Sequence, residues 1–431
     1  MTVSKRQFLK MAGLSSVGFM GAGLLNAGGT STTSVEPMTA VQSSTGLRPM
    51  TDGLKPISIE ERQARVQKLQ GLMQQAGISA LVAEGGTSLM YFTGISWGRS
   101  ERMTAAIIPA EGDIAYVTPF FEEPKLRERI LFGDDVRTWH EHENPFERVI
   151  QLLNDRGFQN GKLALEETTR YFIADGLKKA GPNFELVSGT DVVLGCRMYK
   201  STHEIQLMQA ANDITVRAYQ HVAQNIQKGM TGRDVGMMMR QAQIDLGARS
   251  LFTLVLLNEA SAYPHGSKQP QVVEEGGIVL MDCGAEVLGY ESDISRTFVY
   301  GEPSKRQREI WDLVREGQEV AFEAAKLGTP AGHVDDVVRK LYEARGFGPG
   351  YETPGLPHRT GHGIGMDGHE SVNFVHNEQT VLAPGMCFSN EPGLYIYGEF
   401  GVRMEDCLYM TESGPKWFSK PSESLDNPFN L

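Results

Sequence analysis

Apolar residues behind Ser58-Ile59-Glu60-Glu61 recur at helical spacing as Ile59, Val66, Leu69 and Met73, and Gly77 closes the run. The Ser58/Glu61 pair has the spacing of a capping box, so a helix is predicted from residue 59. Short apolar stretches then predict strands at Ile78 to Ala83, Leu89 to Phe92, Thr104 to Pro109 and Asp113 to Thr118, the last two joined around Glu111-Gly112 as a hairpin. Helical patterns over Glu123 to Phe132 and Pro145 to Arg156, and a strand at Lys162 to Glu166, complete a mixed α/β domain spanning residues 58–196. A second capping box, Ser201 with Glu204, precedes Ile205, Met208, Val216, Tyr219, Val222 and Ile226 at helical period. A long amphipathic helix therefore opens the second domain, residues 197–431. Gly229, Val235 and Gly247 recur 99 residues later as Gly328, Val334 and Gly346, each set following a long capped helix, the second capped by Ser304 and Gln307. That repeat predicts an internal duplication.

No such period is found ahead of Ser58. Lys5, Arg6 and Lys10 precede an uncharged, weakly apolar, Gly-rich run from Met11 to Leu25, too short to span a membrane comfortably. The layout is that of a signal peptide over residues 1–27, and it resembles a twin-arginine signal with Lys5 in place of the first arginine. Export is the expectation, to the periplasm of a bacterium; a non-functional signal would leave the protein cytoplasmic. No Cys follows the run, so no lipid anchor is expected in the mature form. Residues 28–57, rich in Ser, Thr and Gly, are expected to be a linker.

A chain of 431 residues exceeds one ordinary core, which agrees with two domains. With 41 Lys+Arg against 53 Asp+Glu, the net charge of -12 disfavours nucleic acid and anionic lipid as partners. Cys196, Cys283, Cys387 and Cys407 follow no metal or disulfide framework and are expected to be buried free thiols.

Candidate chemistry lies in the second domain. Ile278-Val279-Leu280-Met281 predicts a buried strand ending on Asp282. A carboxylate there needs a cation, a metal or several donors, because an unpaired buried charge costs several kcal/mol, on the order of a whole protein's stability. After an expected turn at Gly284 to Gly289, the strand returns and brings Asp293 across from Asp282. Two carboxylates so close repel each other unless a metal compensates them. His358, His362 and His369 fall within twelve residues, and Glu391 and Glu405 lie on the two arms of an expected β-hairpin, with Arg403 on the face of Glu405. Taken singly, each is an ordinary turn cap, packed histidine or solvated acid. Together, four carboxylates and an imidazole form an oxygen-rich set suited to manganese, cobalt, iron or zinc. Neutrality favours two divalent ions, leaving room for a bridging hydroxide.

Asp282-Cys283-Gly284, Ser292 to Thr297, His358 to Glu370, Asn390-Glu391-Pro392-Gly393 and Arg403-Met404-Glu405-Asp406 together resemble the pita-bread metallopeptidases, Xaa-Pro aminopeptidases and prolidases above all. The resemblance covers about residue 197 to the C-terminus. It implies an α/β fold in which a smaller N-terminal domain precedes a pita-bread catalytic domain with a pseudo-two-fold repeat. By it, Asp282, Asp293, His362, Glu391 and Glu405 are the ligands of two divalent ions, with manganese placed first. Glu391 relays a proton, and His265, His358 and His369 resemble the substrate-binding and intermediate-stabilising histidines. Arg403 resembles the arginine behind the ligands. The substrate implied is a small peptide with proline after the scissile bond, and a homodimer is implied as well. Ser295, where Thr is usual, and Asp367-Gly368 depart from the family pattern. The alternatives are a creatinase-like hydrolase or lyase on the same fold and a non-catalytic peptide-binding module.

Overall fold

The computed structural model describes residues 45–430. The expected signal segment and residues 28–44 of the expected linker lie outside the described residues. From residue 45 the chain runs along the second domain: Thr45 Oγ1 donates to Asp245 at 2.6 Å and Met50 N to Leu246 O at 2.8 Å.

The first domain is a mixed sheet with helices around it. Its strands are β1 (Ile78–Glu84), β2 (Ala105–Pro109), β3 (Ala115–Pro119), β4 (Asp135–Trp139), β5 (Gly161–Leu165) and β6 (Phe184–Ser188), in the order β4-β3-β2-β1-β5-β6. The expected β2/β3 hairpin is present, pairing Ala105 with Val117. The helices are α1 (Ile59–Ala76), α2 (Thr87–Thr93), α3 (Glu123–Arg127), α4 (Pro145–Asp155), α5 (Tyr171–Ala180) and α6 (Thr190–Arg197). In α1 the Ser58/Glu61 capping box is formed and Gly77 closes the helix at φ 65°. Leu69 and Met73 are fully buried beneath it, each removal from water contributing roughly 1.5–3 kcal/mol.

Two local expectations are corrected here. Leu89 to Phe92 is part of the helix α2, not a strand: Leu89 and Phe92, three apart, are both buried, and Gly94 ends the turn at φ 82°. A four-residue apolar run cannot distinguish the two periods. Helix α3 stops at Arg127, short of the expected Phe132.

The second domain repeats one unit. Helices α7 (Thr202–Asn225) and α8 (Gly232–Asp245) pack on β7 (Arg249–Leu257), β8 (Gly277–Val287), β9 (Tyr290–Glu291) and β10 (Ile294–Tyr300). Helices α9 (Lys305–Ala324) and α10 (Ala331–Ala344) pack on a sheet ordered β12-β11-β13-β16-β17: β11 (Gly361–Gly363), β12 (Glu370–Phe374), β13 (Cys387–Asn390), β16 (Asp406–Thr411) and β17 (Gly414–Trp417). The hairpin β14 (Gly393–Tyr395) and β15 (Gly401–Arg403) stands between β13 and β16 in sequence. Separate apolar cores unite α7 and α8 with β8 and β10, and α9 and α10 with β12, β13 and β16. Between the helices of each pair the turn makes a matching lone bridge, Thr231 to Val272 and Pro330 to Val381. The two units are the expected duplication. All four cysteines are buried and unpaired.

In the first unit the strand carrying Asp282 does not end there. It continues to Val287, and the turn is the two-residue Leu288-Gly289, both at positive φ (50° and 92°). Gly284 lies inside the strand, where a Cβ would come within 2.4 Å of Phe252 Cε1 and 2.7 Å of Ser292 O. Its role is close approach, not turning. Register sets Ser295 opposite Asp282, which leaves Asp293 diagonal to Asp282 instead of directly across.

Candidate active site

The five expected ligands come from both units. Asp282 projects from the middle of β8, Asp293 from the break between β9 and β10, His362 from β11, Glu391 from the residue after β13, and Glu405 from the residue before β16. Because Asn390 pairs with Asp406, the two glutamates emerge side by side from one long hairpin, as expected. The units are stitched together here: Glu405 N donates to Ser295 O at 3.1 Å, and Thr297 Oγ1 donates to Arg403 O at 2.8 Å.

The donor atoms converge. Three overlapping sets, Asp282/Asp293/Glu405, His362/Glu391/Glu405 and Asp293/His362/His369, each hold their ligand atoms within 4.8 Å of one another. His362 Nδ1 donates to Gly363 O at 3.0 Å, which leaves the lone pair of Nε2 facing Glu391 Oε1 at 3.3 Å and Asp293 Oδ2 at 3.7 Å. Asp282 Oδ1, Asp293 Oδ1 and Glu405 Oε1 are buried without a hydrogen-bond partner. Orphaned carboxylate oxygens around an imidazole lone pair are a poor arrangement for a protein alone and a good one for divalent cations, so the donor set fits that cofactor class.

Electrostatics show the same crowding. Burial, reinforced by Glu405 and Asp282, pushes the Asp293 carboxyl well above its ordinary range; burial and then Glu391 do the same to Glu405. Glu391 is pushed up to about 7, by burial first and by Asp282, against the pull of Arg403. Burial, with His369 beside it, pushes His362 down to about 3, so its imidazole is neutral and ready to donate its lone pair.

Arg403 is the cation behind this cluster and is 3% exposed. Its guanidinium donates to Asp282 Oδ2 at 2.7 Å, Ser295 Oγ at 3.0 Å, Tyr395 OH at 2.9 Å and Pro264 O at 3.2 Å. Ser295 passes the link on, donating to Glu405 Oε2 at 2.8 Å. Tyr395 in turn donates to His358 Nε2 at 2.8 Å, while His358 Nδ1 donates to Arg359 O at 2.7 Å. Both His358 nitrogens are therefore occupied, and burial holds its pKa down at about 3. His265 and His369 are exposed on the same cleft of about 450 Å³, which is also lined by Tyr351, Arg359 and the ligand set. His369 packs its ring against His362, centroids 4.1 Å apart, with no hydrogen-bond partner among the described residues.

Two charged hubs that support the cleft were not foreseen from sequence. Asp335, fully buried on α10, binds Arg339 through two bonds of 2.7 and 3.0 Å and accepts from Thr360 N, Thr360 Oγ1, Tyr351 OH and His376 N. Arg339 donates to the carbonyls of Gly350, Leu356 and His358, fixing the loop that leads into β11. Glu370, next to His369, takes Lys200 Nζ at 2.8 Å, Arg197 Nη2 at 2.5 Å and Met366 N at 3.1 Å. Burial opposes its charge, but the two cations prevail and hold it at about 2. The i,i+4 spacing of Asp335 and Arg339 was the available signal; on a helix it equally describes a solvated pair.

Comparison with known proteins agrees with this geometry. The profile of metallopeptidase family M24 matches residues 206–412, and that of the creatinase/prolidase N-terminal domain matches residues 65–199. An Xaa-Pro dipeptidase of Lactobacillus delbrueckii subsp. lactis is 31% identical over 369 residues, 84% of this chain and 98% of the relative. One from Pyrococcus furiosus is 30% identical over 365 residues, 84% of this chain and 99% of the relative. Among solved structures, a dipeptidase of Mycobacterium ulcerans superposes with a TM-score of 0.78 at 29% identity, covering 83% of this chain and 95% of that one. An X-Pro aminopeptidase of Thermotoga maritima gives 0.73 at 27% identity, covering 83% and 98%. Membership of metallopeptidase family M24 follows: the chain belongs to the Xaa-Pro aminopeptidase and prolidase family, a metallo-exopeptidase with a creatinase/prolidase N-terminal domain ahead of its pita-bread domain.

Proposed function

We propose that the protein is a dinuclear-metal exopeptidase that hydrolyses Xaa-Pro bonds, in dipeptides or at the N-termini of small peptides. One observation carries the reading: three orphaned, buried carboxylate oxygens and the free Nε2 of His362 share one cleft. Asp282, Asp293, His362, Glu391 and Glu405 would hold two divalent ions, manganese first, with cobalt, zinc or iron suited to the same donors. Bound there, the ions supply an acidified water as nucleophile and positive charge for the developing oxyanion.

The chain's own groups do the rest. Glu391, the ligand that by the family resemblance relays the proton, would accept the proton of the attacking water and return it to the leaving nitrogen. His369, unbonded on the open side, donates to the oxyanion; His265 and His358 border the proline ring. Arg403 holds Asp282 directly and Glu405 through Ser295. The nitrogen before proline is a tertiary amide without N–H, so its pocket needs no acceptor. The names of the relatives support this substrate class.

Export rests on the basic-then-apolar layout of residues 4–25, and a homodimer on the family resemblance. Among the described residues no helix is long and apolar enough to cross a membrane. The deciding experiment compares an Xaa-Pro dipeptide, an Xaa-Pro tripeptide and a non-proline control, each with manganese, zinc or chelator. Proline-selective, metal-dependent cleavage is expected. Cleavage that survives chelation, or no preference for proline, would remove this reading in favour of another hydrolase on the fold; binding without turnover would favour a peptide-holding module.

A further inference from the structure

The His369 ring has no hydrogen-bond partner among the described residues, so its aim rests on contact with the His362 ring and on the loop beneath it. Gly368 precedes it and brings no side chain to pack. Glycine leaves the backbone more freedom than any other residue, and a glycine beside an unbonded ring is a loose joint unless its neighbours are pinned.

They are pinned. Before the joint, Gly365 O accepts from Glu291 N at 2.8 Å, and a Cβ on Gly365 would come within 2.7 Å of Lys200 Cε and 2.8 Å of Glu370 Oε2, so the loop starts in close contact. Met366 is buried in the apolar core that also holds Leu89 and Phe92 of α2. After the joint, Glu370 reaches back to accept from Met366 N at 3.1 Å and Asp367 N at 3.3 Å. Asp367 ties the tip: its Oδ1 accepts from Thr87 Oγ1 at 2.5 Å and its Oδ2 from Arg197 Nη2 at 2.7 Å. The same Arg197 nitrogen donates to Glu370 Oε1 at 2.5 Å, so one guanidinium spans the residues on either side of Gly368-His369.

Both donors stand on helices of the first domain, Thr87 at the start of α2 and Arg197 at the end of α6. Their duties differ. Arg197 has Glu370 to hold whether or not Asp367 is there, whereas the Thr87 hydroxyl makes no other bond among the described residues. The tip also borders a hollow lined by Thr190 and Leu194 of α6 together with Asp367, His369 and Ser371, which gives the loop room to shift once the bond is lost.

We propose that Asp367 is a positioning residue for His369 and that Thr87 is its latch, so that the first domain contributes to the chemical step by way of the Thr87 hydroxyl. The inference rests on the Xaa-Pro peptidase reading above and on the donor role given there to His369.

The test uses the full chain loaded with manganese and an Xaa-Pro dipeptide. Thr87→Val keeps the shape and removes the donor; it should lower kcat about tenfold with KM within about twofold, because an oxyanion contact is made only in the transition state. Thr87→Ser, which keeps the hydroxyl, should recover most of that loss. Asp367→Asn has one acceptor oxygen for two donors and should fall in the same way as Thr87→Val. The deciding readout is coupling: His369→Ala should itself lose about 10²–10³-fold in kcat, and adding Thr87→Val to it should change kcat by less than about twofold. Thermal unfolding and manganese content should match the wild type in Thr87→Val. A kcat for Thr87→Val within about twofold of wild type, a loss carried by KM or by lost metal, or a full further loss in the His369→Ala background would overturn the assignment while the peptidase reading stands. No cleavage of the dipeptide by the wild type with any metal would overturn both.

Discussion

Loading the chelated protein with manganese at pH 6 is predicted to release protons from carboxyl groups and none from the histidine ligand. Glu391 is held at about 7 against an ordinary 4.5, which places roughly 3 kcal/mol against its ionisation in the empty site. At pH 6 about nine-tenths of the molecules then carry that proton, and Asp293 and Glu405, also raised, add to the store. His362, at about 3, is already neutral. The sign follows: cations bind the ionised carboxylate, so affinity climbs as pH rises towards 7, about tenfold per pH unit for each proton released, and the Glu391 contribution levels off above 7. An exposed site of the same residues would behave oppositely, with carboxylates ionised by pH 5 to 6 and an imidazole titrating near 6.5. Calorimetric titration at pH 6 in two buffers of different ionisation enthalpy counts the protons. At least about one per protein is expected, reduced by about one in Glu391→Gln. No release at pH 6, or a release that Glu391→Gln leaves intact, would refute the assignment of burial as the controlling force.

Further outcomes are open to direct measurement. Glu391→Gln should cut kcat by about 10²–10⁴-fold with metal present while the protein stays folded by circular dichroism; retained turnover would reject the proton relay. Asp335→Ala strands the buried Arg339 guanidinium and should cost about 3–5 kcal/mol in urea unfolding of the chelated protein; a change below about 1 kcal/mol would show that the hub does not hold the loop. Gly284→Ala forces a methyl to within 2.4 Å of the Phe252 ring and 2.7 Å of Ser292 O, and should lose about 1–3 kcal/mol together with metal affinity, read by unfolding and by equilibrium dialysis.

What could be foreseen from the chain depended on how far each residue's reason was local. Capped helices are local: Ser58/Glu61, Ser201/Glu204 and Ser304/Gln307 announce α1, α7 and α9, and all three boxes are formed. Acidic residues next to uninterrupted apolar runs are nearly as plain, because burial makes Asp282, Asp293, Glu391 and Glu405 costly unless something compensates them. Register is not local. Whether Asp293 or Ser295 faces Asp282 depends on a turn whose position two glycines, 284 and 289, could each have set, and only the packing of Phe252 against Gly284 distinguishes them. Helix α2 was lost for the same reason, since its four apolar residues fit either period. Asp335 and Glu370 were hidden more deeply: their partners Thr360, His376, Arg197 and Lys200 lie far along the chain, and an isolated acid in a sequence looks solvated.

The geometry also explains why the site is placed where the duplicated units meet. Each unit alone would bury too much like charge: Asp282 and Asp293 on one sheet, Glu391 and Glu405 on the other. Meeting face to face worsens the repulsion, as the raised carboxyl groups show, yet the backbone is locked into that contact by Glu405 N on Ser295 O and by the reciprocal pair of Thr297 and Arg403. Arg403 offsets one of four charges. The remaining repulsion is stored in the fold, and divalent cations relieve it, so their binding should stabilise the junction between the units more than either unit alone. Hydrogen exchange of the chelated and manganese-loaded protein would locate that effect: protection should rise first at the amides of Ser295, Arg403 and Glu405, and a gain confined to the outer helices α8 and α10 would contradict this origin for the site.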